Sequence, residues 1–167
     1  MGSLIGLVSD THDNIHLIDK AVGLLNEEGV ELVLHAGDYV SPFTVSHFRP
    51  LRARLVGVYG NNCAERDLLR RLFAEFGAEV RGFFTEVIFN GLRIALVHGH
   101  EGGLLRSLVG SCGFDVVVHG HTHEVRVERV GDTLVVNPGE VCGYLSGRPT
   151  VGLLDVERRD VRVVDVG

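Results

Sequence analysis

The sequence predicts an α/β fold in which two mixed β-sheets pack face to face with helices outside, and three observations carry that expectation. The first half alternates short apolar runs with segments of helical periodicity, as βαβ units do. The second half switches to paired extended runs separated by turn dipeptides. The length of 167 residues suits a single domain, 1–167, that buries roughly 70% of its unfolded surface.

Leu4–Ser9 reads as a short buried strand. Ile15, Ile18, Val22 and Leu25 then recur at helical spacing, with Asn14 as N-cap and Gly29 as stop. Leu32–Ala36 and Leu55–Tyr59 read as further buried strands. A second helix over about Asp67–Phe76 places Leu68, Leu69, Leu72, Phe73 and Phe76 on one side and Arg70 and Arg71 on another. Beyond it, Asn90-Gly91 joins Thr85–Phe89 to Arg93–His98, the strongest short hairpin signal. A small helix near Leu104–Leu108 precedes the run Val116–His119. Gly131-Asp132 joins Glu124–Val130 to Leu134–Asn137 as a second hairpin. Thr150–Asp155 and Val161–Val166 alternate as half-exposed strands do.

Composition removes several classes of function. A net charge of −6 argues against a general nucleic-acid surface, which depends on neutralising phosphates. No apolar run approaches the ~20 residues that span a bilayer, and the first residues lack a charged leader, so a cytoplasmic protein is expected. Gly6 stands where a myristoylation motif needs Ser or Thr. Cys63, Cys112 and Cys142 are odd in number and widely spaced, which speaks against disulfides and thiolate zinc. The glycines Gly2 and Gly6 do not form a dinucleotide-binding GxGxxG.

The chemistry is carried by residues at the carboxyl ends of the strands. Asp10 and His12 come after the first, Asp38 after the second, Asn61 after the third, His98 and His100 after the fourth, and His121 and His123 after the fifth. Each alone has an ordinary explanation, since Asp caps helices and Gly-Asp or Gly-Asn makes turns. Five strand ends in order make a collective coincidence hard to sustain, because strand carboxyl ends are where α/β proteins assemble ligand sites. Imidazole with carboxylate and amide oxygen, without thiolate, suits Mn²⁺, Fe²⁺, Zn²⁺, Ni²⁺ or Co²⁺. So many candidate ligands exceed the needs of one ion that keeps open positions. Two divalent cations against the Asp10 and Asp38 carboxylates leave a positive surplus for a phosphate and a hydroxide. Two metals roughly 3.5–4 Å apart can hold both for in-line displacement, and no protein nucleophile is required.

The order Asp10-x-His12, Gly37-Asp38, Gly60-Asn61, His98, Gly120-His121-x-His123 resembles the signature of the calcineurin-like metallophosphoesterase superfamily, over essentially the whole chain. Asn137-Pro138-Gly139 and the lack of insertions resemble its compact archaeal and bacterial phosphodiesterase branch. The resemblance implies a four-layer α/β/β/α sandwich. It also implies two metal ions, Mn²⁺ foremost, with Asp10, His12 and His123 on the first, Asn61, His98 and His121 on the second, and Asp38 bridging. A small phosphoester substrate and hydrolysis by a metal-activated hydroxide are implied by the same likeness.

One departure affects the leaving group. Many members place a proton-donating His after the Asn ligand, whereas this chain reads Asn61-Asn62-Cys63. Asn62 cannot donate as an acid, and Cys63, with a reference pKa of ~8.5, could do so only if it points into the site. Activated diesters are therefore expected to be better substrates than esters with poor leaving groups.

His100 is a candidate to contact phosphate and enters the catalytic set with Asp38 and Asn61. His35 and His119 are read as core or supporting residues, His16 and His47 as surface, Asp13 and Asn14 as caps of the first helix, and Arg70/Arg71 as a solvated face. Phosphodiester hydrolysis is the leading function. The alternatives are a phosphomonoesterase or nucleotidase on the same site, or a non-catalytic scaffold subunit of the same fold, as the superfamily includes in a trafficking complex. Metal identity, substrate and any homo-oligomer are not set by the sequence.

Overall fold

A computed structural model describes residues 2–167. The chain runs β1 (Leu4–Val8), α1 (Ile15–Glu28), β2 (Leu32–His35), a 3-10 helix (Pro42–Phe48), β3 (Arg54–Gly57), α2 (Arg66–Ala74) and β4 (Glu79–Val80). It continues through β5 (Phe84–Phe89), β6 (Leu92–Val97), α3 (Gly102–Gly110), β7 (Val116–Val118), β8 (Val125–Val130), β9 (Thr133–Pro138), β10 (Thr150–Asp155) and β11 (Asp160–Asp165).

The boundaries reflect local chemistry. Asn14 caps α1, its side chain accepting from the Leu17 N–H, and Gly29 ends the helix in the left-handed conformation. The hairpin turns at Asn90-Gly91 and Gly131-Asp132 join β5 to β6 and β8 to β9. Asp13 does not cap α1. Its carboxylate instead accepts the backbone N–H and hydroxyl of Ser41, at 2.9 and 2.5 Å, fixing the start of the 3-10 helix.

The first sheet has the order β11-β10-β1-β2-β3-β4 and the second β5-β6-β7-β9-β8. Both are mixed. The second half is less antiparallel than its hairpins imply, because β6, β7 and β9 are parallel to one another. α3 returns the chain to the starting end between β6 and β7, which parallel pairing demands. Nor does β10 behave as a half-exposed strand. It crosses to the first sheet and lies between β1 and β11, so that all but its last residue are buried.

Period-two alternation divides the interior. Ile5, Leu7, Leu32, Leu34, Val56 and Val58 project from the first sheet to meet Ile94, Leu96, Val116, Val118, Leu134 and Val136 from the second. The opposite face of the first sheet, with Val8, Val33 and Leu55, is covered by Ile18, Val22 and Leu25 of α1, Phe48 of the 3-10 helix, and Leu69 and Phe73 of α2. Truncating Phe73, which is fully buried, to Ala would cost about 3–5 kcal/mol. The inner face of the second sheet is filled, so the β6–α3–β7 crossover places α3 outside it. This completes the α/β/β/α order of layers.

Candidate metal centre

Parallel pairing of β1, β2 and β3 in one sheet, and of β6 and β7 in the other, sends five strand ends to a common edge. Backbone bonds lock the loops beyond them together. The N–H groups of Asp10 and His12 donate to Gly37 and Asp38 carbonyls at 3.0 and 3.1 Å, and Gly120 N–H donates to the His98 carbonyl at 2.9 Å. The two sheets are tied by the His121 N–H, which donates to Asp10 Oδ2 at 3.0 Å.

At this edge Asp38 Oδ2 lies 3.4 Å from His12 Nε2 and 3.3 Å from His98 Nε2. Asp10 Oδ1 lies 3.5 Å from His12 Nε2 and 3.3 Å from His123 Nε2. The imidazoles form two pairs, His12 with His123 at 5.0 Å between ring centres and His98 with His121 at 5.2 Å. Asp10, Asp38 and His98 are buried. Asp10 Oδ1, His12 Nε2 and His98 Nε2 are buried atoms without a hydrogen-bond partner among the described residues. Orphaned donors and acceptors of this kind cost free energy unless something else satisfies them. The ligand-type atoms of Asp10, His12 and His123 all lie within 4.8 Å of one another, as do those of Asp10, Asp38 and His98. The residues therefore fit divalent ions.

The tautomers agree with that use. His98 Nδ1 lies 2.7 Å from the Ala36 carbonyl, which can only accept, so Nδ1 carries the proton and the Nε2 lone pair faces Asp38. His123 Nδ1 likewise donates to Glu140, leaving Nε2 toward Asp10. Glu140 is fully buried, and its Oε1 also accepts from the N–H and hydroxyl of Ser146, each at 2.6 Å, and from Leu145 N–H at 3.0 Å. Burial would raise its carboxyl, but His123, Ser146 and Cys142 together bring it down to about 2. Cys142, 3.0 Å from Glu140 Oε2, is pushed up to about 12 by burial and by that carboxylate, so it remains a thiol.

The field at the centre is strongly negative. Burial works to raise Asp38, yet the neighbouring His98 imidazole and two hydrogen bonds from Asn62 hold it well below the usual carboxylate range. Asp10 is also lowered, with burial outweighed by His12, His98, Ser9 and His123. Asp10 raises His12 against the effect of burial. Burial opposes a charged His98, but Asp38 and Asp10 overcome it and raise that group. Five of these residues hold positive φ: Asp10 at 53°, His12 at 37°, Asp38 at 60°, His121 at 70° and His123 at 61°. Such concentrated backbone strain in non-glycine residues is typical of functional sites.

Asn61 is exposed in the turn after β3, at the rim of the cluster. His100 stands beside two of the histidines, its ring 5.6 Å from His98 and 6.2 Å from His121, and its buried Nδ1 has no hydrogen-bond partner among the described residues. Cys63 does not point into the site: its sulfur accepts the Gly60 N–H at 3.2 Å and packs in the core beneath α2. His35 is a buried structural residue, driven by burial down to about 3 and held neutral by Gly37 N–H on Nδ1 and Thr11 at Nε2. His119 is buried on the neighbouring strand end, His16 is exposed, and His47 pairs with Asp19 at the surface.

Three residues support the ligands in ways that no sequence motif predicts. Asn62 donates to both oxygens of Asp38. Ser9 donates to Asp10 Oδ2 at 2.5 Å. Glu140 holds His123, and its one sequence clue is a charged residue before Val141, directly after the Asn137-Pro138-Gly139 turn.

Residues 4–159 match the calcineurin-like phosphoesterase superfamily domain. The chain belongs to that superfamily. It is 43% identical over 161 residues to a phosphodiesterase of Methanocaldococcus jannaschii, covering 96% of this chain and 97% of the relative. A solved structure described as a novel archaeal phosphodiesterase superposes with a TM-score of 0.93 at 42% identity, covering 97% of this chain and 99% of that one. Vps29 of Chaetomium thermophilum, at 20% identity and a TM-score of 0.73 over 98% of this chain and 95% of its own, shares the fold.

Proposed function

We propose that this chain is a divalent-metal-dependent phosphodiesterase with a dinuclear centre, its 167 residues acting as one domain. The observation that carries this reading is the placement of one Asp38 oxygen within 3.4 Å of imidazole nitrogens from two separate histidine pairs. A carboxylate so placed would serve as the bridging ligand of such a centre. Asp10, His12 and His123 would hold one ion, and Asn61, His98 and His121 the other. Their imidazole and oxygen donors suit Mn²⁺ first, with Ni²⁺, Fe²⁺, Zn²⁺ or Co²⁺ as alternatives. When bound, the two ions would supply Lewis acidity to phosphoryl oxygens and an activated water as nucleophile.

The residues around them have separable tasks. Asp10 and Asp38 supply negative charge that concentrates cations in a buried cleft. Ala36 and Glu140 fix the tautomers of His98 and His123 so that each presents a lone pair. His100, with its unpartnered Nδ1, is placed to donate to a phosphoryl oxygen. Leaving-group protonation has no evident donor, because Asn62 is committed to Asp38 and Cys63 to the core. Diesters with good leaving groups are thus favoured over alkyl monoesters. Among the described residues no helix is long and apolar enough to cross a membrane. A small phosphoester met in the cytoplasm is the substrate that completes this reading.

The test is turnover of bis-p-nitrophenyl phosphate by protein supplied with Mn²⁺ or Ni²⁺, beside Asp38→Asn. Hydrolysis that falls at least about 100-fold in the variant, with loss of bound metal, supports the proposal. No hydrolysis with either ion, or full activity in Asp38→Asn, refutes it.

A further inference from the structure

On the His98–His121 side of the cluster, His100 adjoins a group of side chains that the hydrolytic chemistry leaves unused. Phe83, in the turn between β4 and β5, is 43% exposed, yet its ring is held on several sides. Tyr59 meets it edge-on at 5.7 Å between ring centres, and the Arg66 guanidinium lies 4.8 Å above its centre. His100 is tilted toward it at 6.2 Å. Tyr59 also donates its hydroxyl to the Arg66 carbonyl at 2.8 Å, fixing this wall to the first turn of α2. Among the described residues Arg66 enters no ion pair, and it lines a groove shared with Arg70 and Arg71.

A single exposed aromatic needs no explanation. This one differs because an unpaired guanidinium is already stacked on it and an imidazole links it to the metal ligands. Such a surface is aromatic, carries a guanidinium and is ordered in advance, although Glu65 and Asp67 line the groove beside it. It suits a flat π-system attached to an anion, since base–aromatic stacking and Arg cation–π contacts are the usual means of gripping one. The spacing restricts the ligand further. Phe83 meets the ligand cluster through His100, whose ring lies 6.2 Å from Phe83 and 5.6 Å from His98, so an aromatic arm with reach is favoured. A nucleobase, set off from its phosphate by a sugar, has more reach than a phenyl ester bonded directly to phosphorus.

We propose that Phe83, Arg66 and His100 form a subsite for the nucleoside arm of a small phosphodiester, with the base stacked on the Phe83–Arg66 pair. This rests on the phosphodiesterase reading of the metal centre. Phe83 and Arg66 determine which ester arm is accepted and take no part in bond cleavage.

Two diesters with the same leaving group isolate the effect: the p-nitrophenyl ester of thymidine 5′-monophosphate and ethyl p-nitrophenyl phosphate, each with Mn²⁺-loaded protein. The wild type should show a kcat/KM about 10-fold higher for the thymidine ester, the order provided by one base–aromatic stack. Phe83→Leu should remove that preference mainly through KM and leave the ethyl ester within about twofold. Arg66→Met, which keeps the stem and removes the guanidinium, should reduce it and stands in if Phe83→Leu unfolds. Equal kcat/KM for both esters in the wild type, or an undiminished preference in both variants, overturns the subsite while leaving the phosphodiesterase intact. If neither ester is cleaved, the phosphodiesterase reading falls, and calorimetric binding of thymidine 5′-monophosphate against ethyl phosphate decides the subsite. Tighter thymidine binding that Phe83→Leu abolishes sustains it, and equal affinity overturns it.

Discussion

Asn62 grips Asp38 at both carboxylate oxygens, its backbone N–H reaching Oδ1 at 2.8 Å and its side-chain amide reaching Oδ2 at 2.9 Å. The residue standing where relatives of this superfamily carry a proton donor has become a support for the carboxylate between the two histidine pairs. Asn62→Ala removes the side-chain bond and keeps the backbone one. Metal affinity should fall about 10- to 100-fold, as for other residues that orient ligands. Titration of metal-free protein with Mn²⁺ measures this, and wild-type affinity in the variant would dismiss Asn62 as a support.

Glu140 offers a second test at the opposite end of the cluster. Glu140→Gln is nearly isosteric but loses the charge that faces His123 Nδ1. The variant should bind one ion about 10- to 100-fold more weakly while the other site is spared. Stoichiometry by elemental analysis at limiting Mn²⁺ would show one ion retained. Because Ser146 and Leu145 hang on the same carboxylate, faster proteolysis of the loop 143–148 should accompany the loss.

Metal-free protein should be most stable near pH 6.5. His12 and His98 are raised above the ordinary imidazole value of 6.5, so the stability they contribute is complete below it and is lost as pH rises through their folded values. His35, His119 and His121 are lowered, and each must take up a proton on unfolding, so stability falls as pH drops below 6.5. Asp10, Asp38 and Glu140, lowered from 3.8, 3.8 and 4.5, add to the acid loss below those values. In the proposed centre, bound metal would replace the protons on His12 and His98. Saturating Mn²⁺ should therefore abolish the decline above about pH 6.5. A Tm that is flat from about pH 6.5 to 8.5 without metal would contradict this.

The glycine before Asn61 is fixed by crowding. A Cβ on Gly60 would stand 2.0 Å from Asp38 Oδ1 and 2.6 Å from the Asp38 nitrogen. Gly60→Ala should cost about 1–3 kcal/mol from overpacking and displace Asp38 as well. Loss of Mn²⁺ binding together with a lower Tm is the expected result. A variant that keeps full metal content would show that the loop yields without cost.

Much of the fold is legible along the chain because strand periodicity, helix caps and turn dipeptides are local signals. Asn14, Gly29 and Asn90-Gly91 each act within a few residues of where they stand. The strand-end histidines and aspartates can be read because every strand announces its own end. Contacts made across the fold cannot. Glu140 is 17 residues from His123, and Asn62 is 24 from Asp38, so nothing near either residue declares its partner. The migration of β10 to the first sheet is hidden for the same reason, since pairing with β1 spans most of the chain. The side on which Cys63 points is decided by the turn after β3, whose geometry its residue types do not dictate.

The left-handed backbone at Asp10, His12, Asp38, His121 and His123 sets selection for durability against selection for turnover. Each such residue costs roughly 1 kcal/mol that glycine would avoid. Selection for heat resistance alone should therefore favour His121→Gly, because that residue is only partly buried, whereas Asp10 and Asp38 accept buried hydrogen bonds that glycine would leave unpaired. That gain would remove a proposed metal ligand. A thermostability screen run without an assay for metal would enrich well-folded, inert descendants of this protein, leaving a sandwich free to serve as a surface for other molecules.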